Sequence, residues 1–163
     1  RFSGGVFKLE FYTHKEIEDI LNRSAKILGI AIDGEPAEEI AKRSRFTPRT
    51  ANYLLKRVRD LAQVEKTTVS KTTVEKTLSM LGIDALGLTH ADRDLLKTII
   101  DKFGGGPVGL NTLAASLSEE QETIEEVHEP YLLQLGLIER TPRGRTVTTK
   151  GYEHLNIKNG LGL

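Results

Sequence analysis

The chain has 163 residues, of which 38% are hydrophobic and 28% charged, a composition typical of a globular protein. Its 23 basic and 23 acidic side chains give a net charge of zero, so any contact with nucleic acid must come from a local patch. The lack of cysteine excludes a disulfide framework and a thiolate metal site, and no apolar run is long enough to span a membrane. We therefore expect a cytoplasmic protein, and because Met80 is the only methionine we expect a fragment or a processed product.

The N-terminal segment has the pattern of one β-strand. Apolar and polar residues alternate at the start of residues 6–12, and β-favouring types predominate. Since a single strand is not stable without neighbours, we expect this segment to be the edge of a sheet whose other strands lie outside the chain. Tyr12, at its end, either stacks on a base or belongs to the core, and its chemistry alone does not decide between the two.

Residues 13–83 have the pattern of four helices. Thr13 and Glu16 form a capping box before the first helix, and Thr47 and Pro48 suit the N-cap and the first position of the third. Each helix has an apolar face with helical spacing. The sequence therefore predicts a small four-helix bundle.

Residues 84–163 predict a winged-helix domain that follows a linker at residues 84–88. Thr89 and Asp92 form a second capping box, and a third is expected to begin at Ser118. A helix, a glycine-rich turn, a short helix, a long helix and a hairpin follow one another, which is the order of a winged helix-turn-helix. The fold class is therefore mainly α, with a small β-hairpin. The apolar face of the long helix is expected to comprise Ile124, Val127, Tyr131, Leu132 and Leu135.

The hairpin of this domain carries a local excess of positive charge. Residues 137–150 contain four basic side chains and one acidic side chain. A Pro-Arg-Gly sequence predicts a tight turn around Arg143, with Arg140 and Arg145 on either side. A solvated surface turn is the alternative, but three arginines inside a winged-helix pattern favour contact with the phosphate backbone or minor groove of duplex DNA. We expect a mobile hairpin in which Arg140 and Arg145 contribute more than Arg143.

The long helix before the hairpin is acidic and contains neither lysine nor arginine. In a major groove it would be repelled by the phosphates of both strands, so we expect DNA contact through the wing, with weak sequence preference. The alternative, that this acidic face is only a solvated surface, is compatible with that expectation. The glutamates are Glu119, Glu120, Glu122, Glu125, Glu126 and Glu129.

Arg49 lies in the first turn of the third predicted helix, where a cation opposes the helix dipole. Either a nearby glutamate pairs with it, or an anion such as a nucleotide phosphate lies between the guanidinium and the helix N-terminus. The charge and position of Arg49 favour neither alternative over the other. The basic residues Lys56, Arg57 and Arg59 on the same helix are better explained as a solvated face.

The sequence lacks the motifs of nucleotide hydrolysis. It has no GxxxxGK[S/T] phosphate loop, no strand that ends in paired acidic residues for magnesium and no nucleophile paired with a base. We therefore expect this chain to be unable to hydrolyse a nucleotide by itself.

Several segments are specific enough to compare with known families. They are residues 9–12 (LEFY), 47–49 (TPR), 51–55 (ANYLL), 101–103 (DKF), 105–109 (GGPVG), 122–125 (ETIE), 129–132 (EPYL) and 140–145 (RTPRGR). Together they resemble the RuvB family, the bacterial motors that drive branch migration of Holliday junctions. The resemblance runs from Arg1 to about His154, nearly the whole chain.

The resemblance implies a protein of three parts: a large AAA+ ATPase domain, a small helical lid and a C-terminal winged helix. Residues 1–12 would be the terminal strand of the ATPase domain, residues 13–83 the AAA+ lid and residues 84–163 the DNA-binding domain. The implied ligand is ATP or ADP, with Mg²⁺ bound by the ATPase domain. The phosphate loop, the magnesium-binding acids and the segment that docks on RuvA are absent from this sequence.

The resemblance also implies roles for particular residues. Arg49 matches the sensor-2 arginine that contacts ATP phosphates, which favours the anion over a glutamate partner. Tyr12 matches a tyrosine beside the nucleotide. Arg1 belongs to an arginine-rich segment that acts on ATP near the subunit boundary. Arg140 and Arg145 match DNA-contacting positions of the wing.

The implied function is part of an ATP-dependent DNA helicase of recombination, DNA repair and the SOS response. Such a motor is a homohexamer on duplex DNA at Holliday junctions, with RuvA and RuvC family partners. The full-length enzyme would hydrolyse ATP, and this chain alone would be inactive. Two alternatives stay open: a stand-alone winged-helix DNA-binding regulator with a helical dimerisation domain, and a protein-interaction module that uses the acidic helix as its surface.

Overall fold

The computed structural model describes residues 11–32 and 34–157. The chain divides into two compact units, with the boundary between Gly87 and Leu88. Both units are mainly helical in the described residues, and a two-stranded antiparallel sheet belongs to the second, so the predicted fold class is confirmed. No helix in these ranges is both long and apolar enough to cross a membrane.

Two predictions at the N-terminus fall mostly outside the described residues. These are the role of Arg1 and the strand predicted over residues 6–12. Phe11 and Tyr12, which are described, do not belong to a strand, and both side chains are about half exposed.

Four helices form the described part of the first unit, and local chemistry sets their ends. Thr13 and Glu16 form the predicted capping box: the Thr13 hydroxyl accepts from the Glu16 amide, and the Glu16 carboxylate accepts from the Thr13 amide. The four apolar faces meet in a core closed to solvent, to which Ile17, Ile40, Leu54 and Val74 contribute. The helices are α1 (His14–Ile27), α2 (Glu35–Lys42), α3 (Pro48–Val64) and α4 (Lys71–Met80).

A strained turn joins α2 to α3. Arg45 and Phe46 have φ angles of 56° and 54°, a left-handed conformation that costs residues with a side chain about 1–2 kcal/mol each. The buried Ser44 hydroxyl donates to the Ala41 carbonyl at 2.7 Å inside this turn. The Phe46 ring stacks on His14 with 4.8 Å between centroids. The stack therefore joins the start of α1 to the start of α3.

Up to residue 157, the second unit contains two helices, a longer composite helix, a hairpin and a further short helix. We call the composite helix, residues 121–134, the acidic helix. The elements are α5 (His90–Phe103), α6 (Leu110–Leu117), α7 (Gln121–Thr123), a π-helical segment (Ile124–His128), α8 (Glu129–Gln134), β1 (Ile138–Thr141), β2 (Gly144–Val147) and α9 (Thr149–His154).

Three predictions about the ends of these helices have different outcomes. The capping box of Thr89 and Asp92 is confirmed. The one predicted at Ser118 is wrong: this residue ends α6 with φ 54°, and the N-cap of the acidic helix is Glu120, without a side-chain capping bond. Leu88, predicted in a linker, is fully buried within the second unit.

The acidic helix widens in its middle. The Glu129 amide donates to the Ile124 carbonyl, five residues before it rather than four. Pro130 has no amide hydrogen, and its ring crowds the carbonyl four residues before it, which disfavours regular α-helix here. The additional residue in this turn lets His128 and Glu129 both face inward. The prediction that Val127 faces the core is wrong, because this side chain is 53% exposed.

The wing is bonded on both edges of β2. β1 and β2 are antiparallel, with Arg140 opposite Arg145 and a two-residue turn between Thr141 and Gly144. On the other edge of β2, Val108 exchanges two backbone hydrogen bonds with Arg145, of 3.0 and 2.8 Å. This second pairing restrains a hairpin that we expected to be mobile.

Candidate nucleic-acid and nucleotide interfaces

The strand register places the two main wing arginines directly opposite each other. Arg140 on β1 pairs with Arg145 on β2, so their side chains leave the same face of the hairpin with Cβ atoms about 5 Å apart. Their predicted proximity is therefore confirmed. Two positive charges at this spacing repel each other, and a nearby negative charge is needed to hold them there.

Glu129 supplies that negative charge from the acidic helix. Its side chain is fully buried. Its Oε2 accepts from Arg140 Nη2 at 2.5 Å and from Arg145 Nη2 at 3.1 Å, and its Oε1 accepts from Arg145 Nε. Burial works to raise the pKa of Glu129, but the hydrogen bonds from Arg145 and Arg140 outweigh it and hold the pKa below its usual value. Glu129 is therefore a charged carboxylate at neutral pH.

Glu125, one turn earlier, contacts the same arginines from a more exposed position. Its Oε1 accepts a hydrogen bond from Arg140 Nη2 at 3.1 Å and lies 3.8 Å from Arg145 Nη2. The Glu125 side chain is 48% exposed. The acidic face is thus more than a solvated surface, because two of its glutamates bind the wing.

The three wing arginines differ in exposure and in charge balance. The Arg145 side chain is 14% exposed and that of Arg140 48%. Arg140 and Arg145 face two carboxylates, so this cluster has no net charge. Arg143, in the turn, is exposed and forms no ion pair with any residue of the ranges that the structure describes. The uncompensated positive charge of the wing therefore lies at its tip.

A buried polar pair supports the acidic helix from the side of α5. His128 Nδ1 lies 2.7 Å from Asp92 Oδ1, and the Asp92 side chain is fully buried. The other Asp92 oxygen accepts from the Thr89 amide and hydroxyl at 2.8 and 2.7 Å. Because His128 precedes Glu129, this pair fixes the turn that carries the buried carboxylate.

Sequence reasoning missed the roles of Glu125, Glu129 and His128. Glu129 lies 11 and 16 residues before the arginines it binds, and no spacing rule connects positions on a helix and a hairpin. One signal was available: Pro130 inside an otherwise regular apolar pattern predicts a local departure from α-helix.

The candidate nucleotide-binding residues of the first unit lie near two helix starts. Tyr12 directly precedes the N-cap of α1, and Arg49 is the second residue of α3. The stack of His14 on Phe46 joins these two helix starts. Tyr12 is 45% exposed, so it does not belong to the core. Arg49 is exposed and has no ion-pair partner within residues 11–32 and 34–157, so no glutamate of these ranges pairs with it.

The start of α3 is suited to an anion. Thr47 is the N-cap and Pro48 the first residue, as predicted. The Thr47 hydroxyl lies within hydrogen-bond distance of the Ser44 carbonyl oxygen, at 3.2 Å, and of the Thr50 hydroxyl, at 2.8 Å, instead of capping an amide. The first turn of this 17-residue helix therefore has no side-chain cap among the described residues, and the helix dipole favours a negative charge there.

The basic residues of α3 form a solvated face, as expected. Arg57 and Arg59 both pair with Asp60, at 3.1 and 2.8 Å, and Lys56 is exposed. Arg57 also lies over the Tyr53 ring, 5.6 Å from its centroid.

Two family models match the chain in succession. Residues 12–84 match the RuvB AAA lid domain, and residues 85–156 match the RuvB C-terminal winged helix domain. The boundary between the two matches lies within three residues of the boundary between the two compact units.

Relatives and solved structures give the same answer. The chain is 54% identical over 155 residues to the Holliday junction branch migration complex subunit RuvB of Dehalococcoides mccartyi, covering 94% of this chain and 44% of that protein. It matches the Thermotoga maritima RuvB Holliday junction branch migration motor with a TM-score of 0.89 and 53% identity, covering 92% of this chain and 51% of the other. A point mutant of that motor matches with a TM-score of 0.92 and 52% identity, over 95% and 52%. The chain spans about half the length of these relatives, and it belongs to the RuvB family.

Proposed function

We propose that the chain is the lid and DNA-gripping part of an ATP-dependent motor that drives branch migration of Holliday junctions in recombination and DNA repair. Residues 1–12 end the ATPase domain, residues 13–83 form the lid over the nucleotide, and residues 84–163 bind DNA. The names of the relatives, a branch migration motor and a branch migration complex subunit, support this function. The complete RuvB-type subunit acts in the cytoplasm as a homohexamer with RuvA and RuvC family partners, and it uses ATP with Mg²⁺.

The wing is the proposed contact with duplex DNA. One observation carries this proposal: a single hairpin presents Arg143 at its tip without a counter-charge among the described residues and holds Arg140 and Arg145 side by side one residue pair before the turn. Arginines placed in this way bind backbone phosphates, which position a protein without specifying a sequence. The glutamates of the acidic helix disfavour its entry into a major groove.

Changing the wing arginines is expected to weaken DNA binding by this chain. Arg143→Ala should lower the affinity for duplex by about fivefold at low salt and reduce the slope of log K against log salt by about one. The double variant Arg140→Ala with Arg145→Ala should weaken binding further. Fluorescence anisotropy with labelled duplex and junction DNA, titrated with salt, measures both quantities.

The matched control is Lys97→Ala, which removes an exposed positive charge from α5. It should leave the salt slope close to that of the unchanged chain. Circular dichroism verifies folding, since the double variant leaves the buried Glu129 without partners. Unchanged affinity of both wing variants at low salt contradicts the proposal, and a strong preference for one base sequence would favour a DNA-binding regulator instead.

Arg49 is the proposed contact with the nucleotide. The exposed guanidinium and the uncapped first turn of α3 both favour an anion, and the phosphates of ATP supply one. Tyr12 lies near the same helix start through the His14–Phe46 stack and is exposed enough to pack against the nucleotide. Arg1 is proposed to act on ATP near the subunit boundary, as the resemblance implies.

Arg49→Ala in the complete RuvB-type subunit is expected to reduce ATP turnover by about tenfold, because a positive charge that stabilises the phosphates during hydrolysis is lost. Phosphate release at saturating ATP measures turnover. Lys56→Ala, an exposed residue of the same helix, is the matched control and should retain normal turnover. Normal turnover of Arg49→Ala would assign the arginine a structural role.

A further inference from the structure

We propose that Arg140 and Arg145 form a seat for one phosphodiester of duplex DNA, and that Glu125 occupies this seat until DNA displaces it. The inference rests on the proposed function, the binding of duplex DNA by the wing, and adds a competing residue of the chain itself. Two carboxylates contact the same two guanidiniums, and their surroundings assign them different tasks.

Glu129 is the permanent partner of the arginines. It is fully buried and accepts hydrogen bonds from Arg140 Nε and Nη2 and from Arg145 Nε and Nη2. Separating a buried carboxylate from its partners leaves an uncompensated charge in the interior, which is strongly unfavourable. Glu129 therefore remains in place when DNA binds and orients both guanidiniums.

Glu125 is the replaceable partner. It accepts one hydrogen bond, from Arg140 Nη2 at 3.1 Å, and its side chain is 48% exposed. Ion pairs in such exposed positions contribute little to stability, because water solvates both partners when they separate. Glu125 can therefore leave at small cost.

The position of the Glu125 Oε1 atom resembles that of a bound phosphate oxygen. This atom lies 3.1 Å from Arg140 Nη2 and 3.8 Å from Arg145 Nη2, so two guanidinium groups converge on one anionic oxygen. A phosphate oxygen has the same charge and accepts hydrogen bonds from the same donors. Without Glu125, two arginines and Glu129 leave one positive charge, which a single phosphodiester balances.

The test compares two neighbouring glutamates in the same chain. Glu125→Gln removes the competing charge, whereas Glu126→Gln removes the same charge from an exposed side chain without an ion pair to any described residue. Glu125→Gln is expected to raise the affinity for duplex by about threefold to tenfold at low salt, and Glu126→Gln by less than twofold. Both glutamate changes are also made in a chain that carries Arg140→Gln. In that chain, Glu125→Gln should no longer raise the affinity for duplex.

The affinities of the variants for duplex decide between the seat and its alternatives. A gain specific to Glu125→Gln and dependent on Arg140 supports the seat. Equal gains from the two glutamate variants, or a gain that persists with Arg140→Gln, overturn it while leaving DNA binding by the wing intact. If neither the unchanged chain nor Glu125→Gln binds duplex, the proposed function fails as well. If Glu125→Gln binds inorganic phosphate more tightly than the unchanged chain does but binds duplex no more tightly, the seat does not bind the DNA backbone.

Discussion

Glu129→Gln is expected to destabilise the second unit by about 3 kcal/mol, which for a unit of this size lowers the melting temperature by roughly 15 °C. Glutamine keeps the shape of the side chain but removes the negative charge between Arg140 and Arg145. Two guanidinium groups then face each other across the hairpin without their buried counter-charge. Differential scanning calorimetry measures the transition.

The pH dependence of the same variant gives an independent measurement. The folded pKa of Glu129 lies below the ordinary value of 4.5, so its stabilisation is fully present above about pH 4.5 and is lost as the pH falls through the folded pKa. The stability difference between the unchanged chain and Glu129→Gln should therefore shrink on acidification below pH 4.5. Glu126→Gln, exposed on the same helix, should melt close to the unchanged chain at every pH. A difference that is independent of pH would contradict an ionic role for Glu129.

Gly144→Ala is expected to disrupt the wing at the start of β2, directly after the turn. The φ angle of Gly144 is 135°, and a Cβ there would lie 2.2 Å from the Val108 carbonyl oxygen and 2.4 Å from its carbon. These are backbone atoms, so no side-chain rotation relieves the clash, and the Arg145–Val108 hydrogen bonds must break or shift. The combined overpacking and backbone strain should cost about 3 kcal/mol. Thermal unfolding measures the loss, and amide exchange at Arg145 locates it.

Gly136→Ala is the matched control for this change. Gly136 also has a positive φ, 68°, but a Cβ there meets nothing within 4 Å. Its cost should be limited to backbone strain, about 1 kcal/mol. Equal losses from the two variants would show that the contact with Val108 contributes nothing beyond the φ angle.

Most of the helical architecture could be predicted because its determinants are local. The capping boxes at Thr13 and Thr89 and the Thr47–Pro48 start of α3 use residues that are at most three positions apart. The failures involved signals that compete or depend on distant segments. Ser118 satisfies the capping pattern in sequence but ends the preceding helix in a left-handed conformation. The pairing of Val108 with β2 arises in a glycine-rich segment without strand alternation.

The candidate sites could be predicted only in part. Three arginines in one hairpin are visible in the sequence, and so is the proximity of Arg140 and Arg145 across a tight turn. The sequence does not show that Arg140 and Arg145 are ion-paired whereas Arg143 is not, because the pairing depends on Glu125 and Glu129, which a different element presents. Tertiary contact between a helix and a hairpin decides which charges remain available to a ligand.

The π-helical turn has a consequence for changes in chain length. Elsewhere in a helix, inserting or deleting one residue rotates everything that follows by about 100°. Between Ile124 and Glu129 the hydrogen bond already spans five residues, so losing one residue from this stretch restores α-helical spacing and leaves both ends in phase with the core. A deletion variant of this chain that lacks one residue here should therefore retain both the apolar anchor at Ile124 and the Glu129 carboxylate that binds the wing.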